Sequence, residues 1–164
     1  FVDYPSYEEE YRIAESTTSD VAPELSPVLS GEQILRLQKL VRRVPIAPHV
    51  IHYALRMVRA TRVQDDGVPD YVKDAVSWGA GPRGMQYLLL RGKARAMLNG
   101  RFHVTIDDIR SVAHPVLRHR VITNFNAESM GITSDKVIDQ LIQNVSERNE
   151  GDEVAPQIAH ALSS

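Results

Sequence analysis

Arg83 is the residue whose type and position most clearly predict chemistry. It follows a turn-forming run, Gly79-Ala80-Gly81-Pro82, and precedes a periodic apolar segment that predicts a helix over 85–99. Proline is tolerated at a first helical position because its missing N–H would have no partner there. The arginine then lies beside free backbone N–H groups and the positive end of the helix dipole. A cation is unfavourable there unless an anion binds, so a phosphate is the predicted ligand. The alternative is an ordinary helix start with a solvated arginine.

Two nucleotide-binding patterns overlap this run, and both are incomplete. Gly79 and Gly84 have the outer spacing of a phosphate-binding loop, but Met85 and Gln86 replace its lysine and serine. The same run matches Gly-x-Gly-x-x-Gly, which requires a preceding strand in a βαβ unit that residues 71–78 do not convincingly supply. ATP hydrolysis also needs acidic residues that hold Mg²⁺. We therefore predict no catalytic residue in this chain and no ATPase activity from it alone.

Metal sites and disulfides are not predicted. The sequence contains no cysteine, which excludes thiolate ligands and disulfide bonds. His49 and His52 are three residues apart on a predicted helix, but no carboxylate of suitable spacing accompanies them. We interpret the six histidines as surface or capping residues.

Composition indicates a globular protein without a membrane partner. Hydrophobic residues make up 43% of the 164 residues and charged residues 24%, which is ordinary for a globular domain. No segment approaches the roughly 20 apolar residues of a membrane span, and no signal peptide is recognisable. A cytoplasmic location is therefore expected.

The net charge of −2 hides an uneven distribution. The charge is −7 over residues 1–33, +4 over 34–82, +6 over 83–120 and −5 over 121–164. A basic centre indicates an anionic partner, either a nucleotide or a nucleic acid. The alternative is intramolecular pairing of the acidic ends with the basic middle, or simple solvation.

The predicted elements are helices, so the fold class is all-α, a helical bundle. Capping signals and prolines place their ends: a helix from Ser6 to about Ser16, one from Ser30 to Pro45, one from Pro48 to about Arg62, the one over 85–99, one from Thr105 that Pro115 should kink or split, and one from Ser134. Gly92 in a helix interior indicates close approach of a neighbouring helix. Residues 71–78 are predicted as a short helix or an irregular packed segment, and residues 121–131 as irregular. No sheet is predicted.

The organisation along the chain suggests a piece of a longer protein. Phe1-Val2-Asp3-Tyr4 is typical of a strand end, yet no partner strand is predicted downstream. We expect residues 1–16 to be the end of a preceding domain and residues 17–29, rich in Ser, Thr and Pro, to be a linker. Residues 30–145 are then the helical domain, and residues 146–164 a polar tail.

Several segments resemble the MoxR family of AAA+ ATPases. The run from Gly79 to Gly84 is similar to that family's sensor-2 motif, Gly-Ala-Ser-Pro-Arg-Ala, with Gly81 and Gly84 in place of the serine and last alanine and the arginine kept as Arg83. Further similarities follow the family's order: Tyr4-Pro5-Ser6-Tyr7-Glu8, Leu29-Ser30-Gly31-Glu32, Val58-Arg59-Ala60-Thr61-Arg62, Val104-Thr105-Ile106-Asp107-Asp108-Ile109 and Leu117-Arg118-His119-Arg120.

The resemblance implies a helical lid domain that follows a nucleotide-binding core. Arg83, Pro82 and Gly81 would then form the sensor-2 site, while Arg118, His119 and Arg120 would contact the core or a neighbouring subunit. ATP and Mg²⁺ would be bound mainly by the core. Members of this family usually form hexameric rings and act as chaperones that assemble or activate partners, often with von Willebrand A-type domains.

Two other functions remain open on the sequence. A nucleic-acid-binding helical module would use the basic middle, namely Arg83, Arg91, Arg95, Arg101, Arg118 and Arg120. Against it, no recognition motif is present and aromatic residues make up only 6% of the chain. A plain protein-interaction bundle is also compatible with the linker and the acidic tail.

Overall fold

The computed structural model describes residues 3–20 and 24–147, and it is mainly helical. The elements in chain order are α1 (Tyr7–Thr18), α2 (Gly31–Arg43), α3 (Pro48–Arg59), α4 (Asp70–Ala75), β1 (Val76–Trp78), α5 (Pro82–Leu98), α6 (Ile106–Ser111), α7 (Ala113–Leu117), β2 (Ile122–Thr123), α8 (Phe125–Ser129) and α9 (Ser134–Asn144). The predicted all-α class is confirmed. The chain divides into two units, residues 1–37 and 38–164, with the boundary inside α2.

Local capping explains where several helices begin. Ser6 and Ser30, each with a Glu or Gln three residues later, have the spacing of a capping box, and both boxes form; in the second, the Gln33 N–H donates to the Ser30 hydroxyl at 3.2 Å. The prediction for the last helix was one residue late. Thr133 has extended backbone and its hydroxyl accepts from the Lys136 N–H, so Thr133 is the N-cap and Ser134 is already helical.

The first unit holds α1 and the beginning of α2. Helix α1 ends at Thr18, two residues beyond the predicted end. Asp3 to Ser6 form neither strand nor helix, while Phe1 and Val2 of the predicted strand end lie outside the described residues. Of the predicted linker, residues 24–29 contain no helix or strand, and of the predicted tail only residues 146 and 147 are described.

The second unit is built around α5, which packs against α3, α6 and α7. Its buried positions are Gly84, Leu88, Gly92 and Ala96. A Cβ on Gly92 would lie 2.9 Å from Ile109 Cδ1, which confirms that this glycine permits close packing of α5 on α6. The predicted break before Pro115 is also confirmed, because α6 ends at Ser111 and α7 begins at Ala113.

A small sheet corrects the prediction that none exists. Strand β1 pairs antiparallel with β2, with Val76 opposite Thr123 and Trp78 opposite Ile122. The segment 121–131, predicted as irregular, contains β2 and α8. Asn124 connects them, because its N–H donates to the Ala75 carbonyl at 2.9 Å and its side-chain oxygen caps α8. Strands of two and three residues are too short to show a periodic signal.

Within the described residues, no helix is both long and apolar enough to cross a membrane.

Candidate functional site

The turn between β1 and α5 lies directly against the end of α3. A Cβ on Gly79 would lie 2.1 Å from the carbonyl oxygen of Thr61 and 2.8 Å from its hydroxyl. No real side chain fits at such distances, and the obstacle is backbone that cannot rotate away. Glycine at position 79 therefore allows the turn to touch the α3 end, and the turn is held close to it.

Thr61 is fully buried, and its hydroxyl makes two hydrogen bonds. The Oγ1 atom accepts from the Ala80 N–H at 2.8 Å and donates to the Val58 carbonyl at 2.6 Å. Next to it, the Arg62 Nε–H donates to the Ala80 carbonyl at 3.1 Å. Both backbone polar groups of Ala80 are thus bonded to the end of α3, which satisfies groups that would otherwise be buried without partners.

The start of α5 is open to an anion. Pro82 is the first helical residue, as predicted, and Gly81 is the N-cap. Glycine has no side chain to cap the helix, and no side-chain cap hydrogen bond forms at this end. The helix is 17 residues long, so its first turn presents uncapped N–H groups at the positive end of the dipole.

The Arg83 side chain projects from this first turn and is exposed. Among the described residues it has no hydrogen-bond, ion-pair or aromatic partner. The guanidinium therefore offers its N–H donors to whatever approaches from outside the described part of the chain.

Arg83 also lines a groove of about 550 Å³ with other cations. Arg42 and Lys93 contribute to the same groove, together with Tyr87, and none of the described residues that line it is acidic. The Lys93 ammonium donates to the Arg42 carbonyl at 3.0 Å, which joins the end of α2 to α5. An anion in this groove would meet positive charge without a competing carboxylate.

The structure places Arg118, His119 and Arg120 in different surroundings. Arg118 binds Asp135 through two hydrogen bonds of 2.7 and 2.8 Å, and this pairing holds the pKa of Asp135 below its ordinary value. Arg120 donates to the Val116 carbonyl, contacts His119 Nε2 and lies over the Tyr87 ring at 5.2 Å. The pKa of His119 is lowered by desolvation, then by Arg120 and Arg91. Contacts of these residues with a core or subunit stay a prediction.

Asp108 is an ionic centre that sequence reasoning did not single out. It is 1% exposed, accepts from Arg101 at 2.5 and 2.6 Å, and accepts from the Thr105 N–H at 3.0 Å. These hydrogen bonds, of which those from Arg101 have the largest effect, lower the pKa of Asp108 to about 2. Its signal in the sequence was the spacing Thr105-x-x-Asp108, which is that of a capping box.

This pairing removes arginines from the predicted nucleic-acid surface. Arg101 is bonded to Asp108, Arg95 lies 3.7 Å from the same carboxylate, and Arg118 is bonded to Asp135. Three of the six arginines that supported a nucleic-acid module therefore have a carboxylate partner within the domain, and Arg95 and Arg101 share the single charge of Asp108. Pairing of an acidic end with the basic middle, the alternative given for the charge distribution, accounts for Arg118 and Asp135, whereas Asp108 lies within the basic middle itself.

Within residues 3–20 and 24–147, no group of three or more His, Asp or Glu side chains could hold a metal ion. His114 instead lies 3.0 Å from Asp139, a contact that is ionic only when the histidine is protonated.

Comparisons with known proteins agree with this geometry. Residues 70–141, from α4 into α9, match the family model of the AAA lid domain. The chain is 31% identical over 145 residues to the chaperone MoxR1 of Mycobacterium tuberculosis, covering 88% of this chain and 38% of that protein. It is 28% identical over 143 residues to YeaC of Bacillus subtilis, an uncharacterized protein, covering 87% and 42%. A stretch of 43 residues is 46% identical to the MoxR protein of Paracoccus denitrificans, covering 26% of this chain and 13% of that protein.

A solved structure shares the fold. The crystal structure of a candidate ATPase from Cytophaga hutchinsonii superposes with a TM-score of 0.74 at 26% identity, over 88% of this chain and 44% of that one. The chain spans about two fifths of the length of the two curated relatives that it matches over most of its length. The matches identify residues 70–141 as an AAA lid domain, and most of the chain is similar to the chaperone MoxR1.

Proposed function

We propose that this lid senses nucleotide through Arg83, which binds the γ-phosphate of ATP held by an AAA+ core outside the present sequence. The observation that carries the proposal is the exposed guanidinium in the first turn of α5, which has no partner in the part of the chain that the structure describes. A guanidinium can bind phosphate oxygens bidentately, and the uncapped helix start adds backbone N–H donors that also carry positive partial charge. The groove that Arg83 shares with Arg42 and Lys93 supports an anionic ligand further.

The same contact would couple chemistry to motion. The γ-phosphate is present before hydrolysis and absent afterwards, so an arginine bound to it holds the lid differently in the two states. ATP and Mg²⁺ would supply the reacting phosphoryl group and neutralise its charge, and the core would bind both. The chain's own part is to place one cation where negative charge increases in the transition state.

The partners of the whole protein are part of this proposal. One relative is named a chaperone, which supports a role in assembling or activating other proteins. We propose that the lid contacts its own core and a neighbouring subunit of a hexameric ring, with Arg118, His119 and Arg120 at such a contact. A client protein with a von Willebrand A-type domain is the kind of partner that we propose for the ring.

The decisive experiment replaces Arg83 in the protein that contains both lid and core. We expect Arg83→Ala to lower the ATP turnover rate at least about tenfold, because it removes one charge-assisted contact to the transferred phosphoryl group. The matched control is Arg91→Ala, which removes the same charge two turns along α5, where the arginine donates to the Pro115 carbonyl. Equal turnover and nucleotide affinity in Arg83→Ala and wild type would contradict the proposal.

The rival function is tested with the same two variants. If DNA binding that weakens with salt were detected, and both variants reduced it alike, the basic surface would serve nucleic acid instead.

A further inference from the structure

We propose that Thr61 is a positioning residue for nucleotide sensing: its buried hydroxyl holds the Gly79–Ala80 turn, and through it the start of α5, in the position from which Arg83 reaches its anion. This inference rests on the proposed function of Arg83, and it adds a fully buried residue 22 positions away in the sequence.

The first step of the argument is the connection between Thr61 and Ala80. The Ala80 N–H has the Thr61 hydroxyl as its acceptor, and the hydroxyl donates its own proton to the Val58 carbonyl at the end of α3. Because Thr61 is fully buried, water cannot replace either bond. A residue at position 61 without a hydroxyl would leave the Ala80 N–H buried and unsatisfied, whereas the Val58 carbonyl would still accept from the residue 61 N–H, now at 3.1 Å.

The second step is that the Gly79–Ala80 turn has little freedom to move either towards α3 or away from it. The Gly79 backbone lies against the Thr61 carbonyl, so a shift towards α3 is blocked. A shift away from α3 would break the Ala80 N–H bond to Thr61 and the Ala80 carbonyl bond to Arg62. Contacts with the end of α3 therefore restrict movement of the Ala80 backbone, three residues before Arg83, in both directions.

The third step links this turn to Arg83. Ala80 is 1% exposed, and Gly84 would place a Cβ 3.1 Å from the Ala80 Cβ. The first turn of α5 thus packs on the same residue that Thr61 holds. The Arg83 side chain itself has no partner among the described residues, so its reach depends on where its backbone lies. Positioning through the backbone is consistent with a side chain that must stay free for a ligand.

The test uses the full protein with its core and compares Thr61→Val with Thr61→Ser. Valine keeps the shape and loses the hydroxyl, whereas serine keeps the hydroxyl. We expect Thr61→Val to lower ATP turnover about fivefold, less than the roughly hundredfold that a 1 Å misplacement of a reacting group can cost. Thr61→Ser should restore nearly wild-type turnover.

A double-mutant cycle separates positioning from general destabilisation. In an Arg83→Ala background, Thr61→Val should cause no further loss of turnover, because both changes act through the same contact. The control Thr133→Val removes the cap of α9, a comparable structural loss at another helix, and should leave turnover unchanged. Equal fold-losses from Thr61→Val in both backgrounds would overturn the inference, as would an equal loss from Thr133→Val.

The outcomes also distinguish this inference from the proposed function. If Arg83→Ala alone has no effect, the sensing role fails; if it has one and Thr61→Val adds to it independently, only the positioning role fails. Hydrogen exchange gives a readout without nucleotide, since Thr61→Val should accelerate exchange of the Ala80 amide and unchanged exchange would refute the bond's role. Should Thr61→Val not fold, Arg62→Met weakens the same turn from a partly exposed position and enters the same cycle.

Discussion

An arginine lies near each end of α5, Arg83 in its first turn and Arg101 three residues beyond its last residue, and the two ends differ in whether backbone or side chain is held in place. At the N-terminal end the backbone is fixed, because Gly79 and Ala80 lie against Thr61, while the Arg83 side chain has no partner among the described residues. At the C-terminal end the side chain is fixed, because Arg101 is bound by both oxygens of the buried Asp108. Residue type is the same at both ends, so the difference lies entirely in the surroundings.

This difference shows how a domain can hold one arginine in an internal ion pair and leave another available to a ligand. A buried carboxylate needs a cation, and Asp108 therefore requires Arg101 for stability. An arginine without a carboxylate contributes little to stability and is available to a ligand. Substitutions at each end, each compared with a matched neighbouring position, test this difference.

Gly79→Ala should be the most damaging change at the N-terminal end. The new Cβ would meet the Thr61 carbonyl at 2.1 Å, so the turn must move and lose its bonds to α3. We expect the free energy of unfolding to fall by about 3 kcal/mol. Gly81→Ala is the control, because a Cβ there has nothing within 4 Å and the backbone is extended. Urea unfolding curves that coincide for the two variants would show that the turn is not tightly held.

Asp108→Asn should be the most damaging polar change at the C-terminal end. It removes the charge that Arg101 binds from a site that is 1% exposed. We expect a loss of about 2 kcal/mol in the free energy of unfolding. The neighbouring Asp107 has an 88% exposed side chain, and Asp107→Asn should change stability by less than about 0.5 kcal/mol. The comparison fails if chemical denaturation gives both variants the same midpoint.

Acid should weaken the C-terminal end in a defined window. The folded-state pKa of Asp108, about 2, lies below its ordinary value of 3.8, so its contribution is complete above pH 4 and is lost as the pH falls through about 2. We expect about 1.5 kcal/mol of stability to disappear between pH 4 and pH 2 from this residue. Unfolding measured across that range in wild type and Asp108→Asn isolates it, since the variant should lack this component; parallel curves would contradict the assignment.

Arg83→Met should have the smallest effect on stability. The side chain is exposed and unpaired within the described residues, so the free energy of unfolding should change by less than about 0.5 kcal/mol. Arg101→Met, the same change at the other end of α5, should be clearly destabilising because it leaves Asp108 buried without its main partner. Thermal unfolding of the two variants side by side measures this contrast. A marked loss in Arg83→Met would mean that Arg83 has a structural role.

Much of the lid's helical framework was predictable because it depends on residues close together in sequence. The Ser30–Gln33 and Thr105–Asp108 boxes, the start of α5 at Pro82 and its end at Gly100 all follow from interactions within about one turn. Gly100 has a φ of +68°, which is the left-handed conformation expected of a glycine that ends a helix. The position of Arg83 in a first helical turn was also predictable on these grounds.

Other features needed the tertiary structure because their partners are far apart in sequence. Strands β1 and β2 are too short to show alternation and exist through their pairing. The bond from Ala80 to Thr61 spans 19 residues, and no local rule connects those positions. A sequence lists arginines without saying which ones meet a carboxylate. Long-range packing decided that Arg101 and Arg118 are paired with Asp108 and Asp135, and that Arg83 meets no carboxylate within residues 3–20 and 24–147.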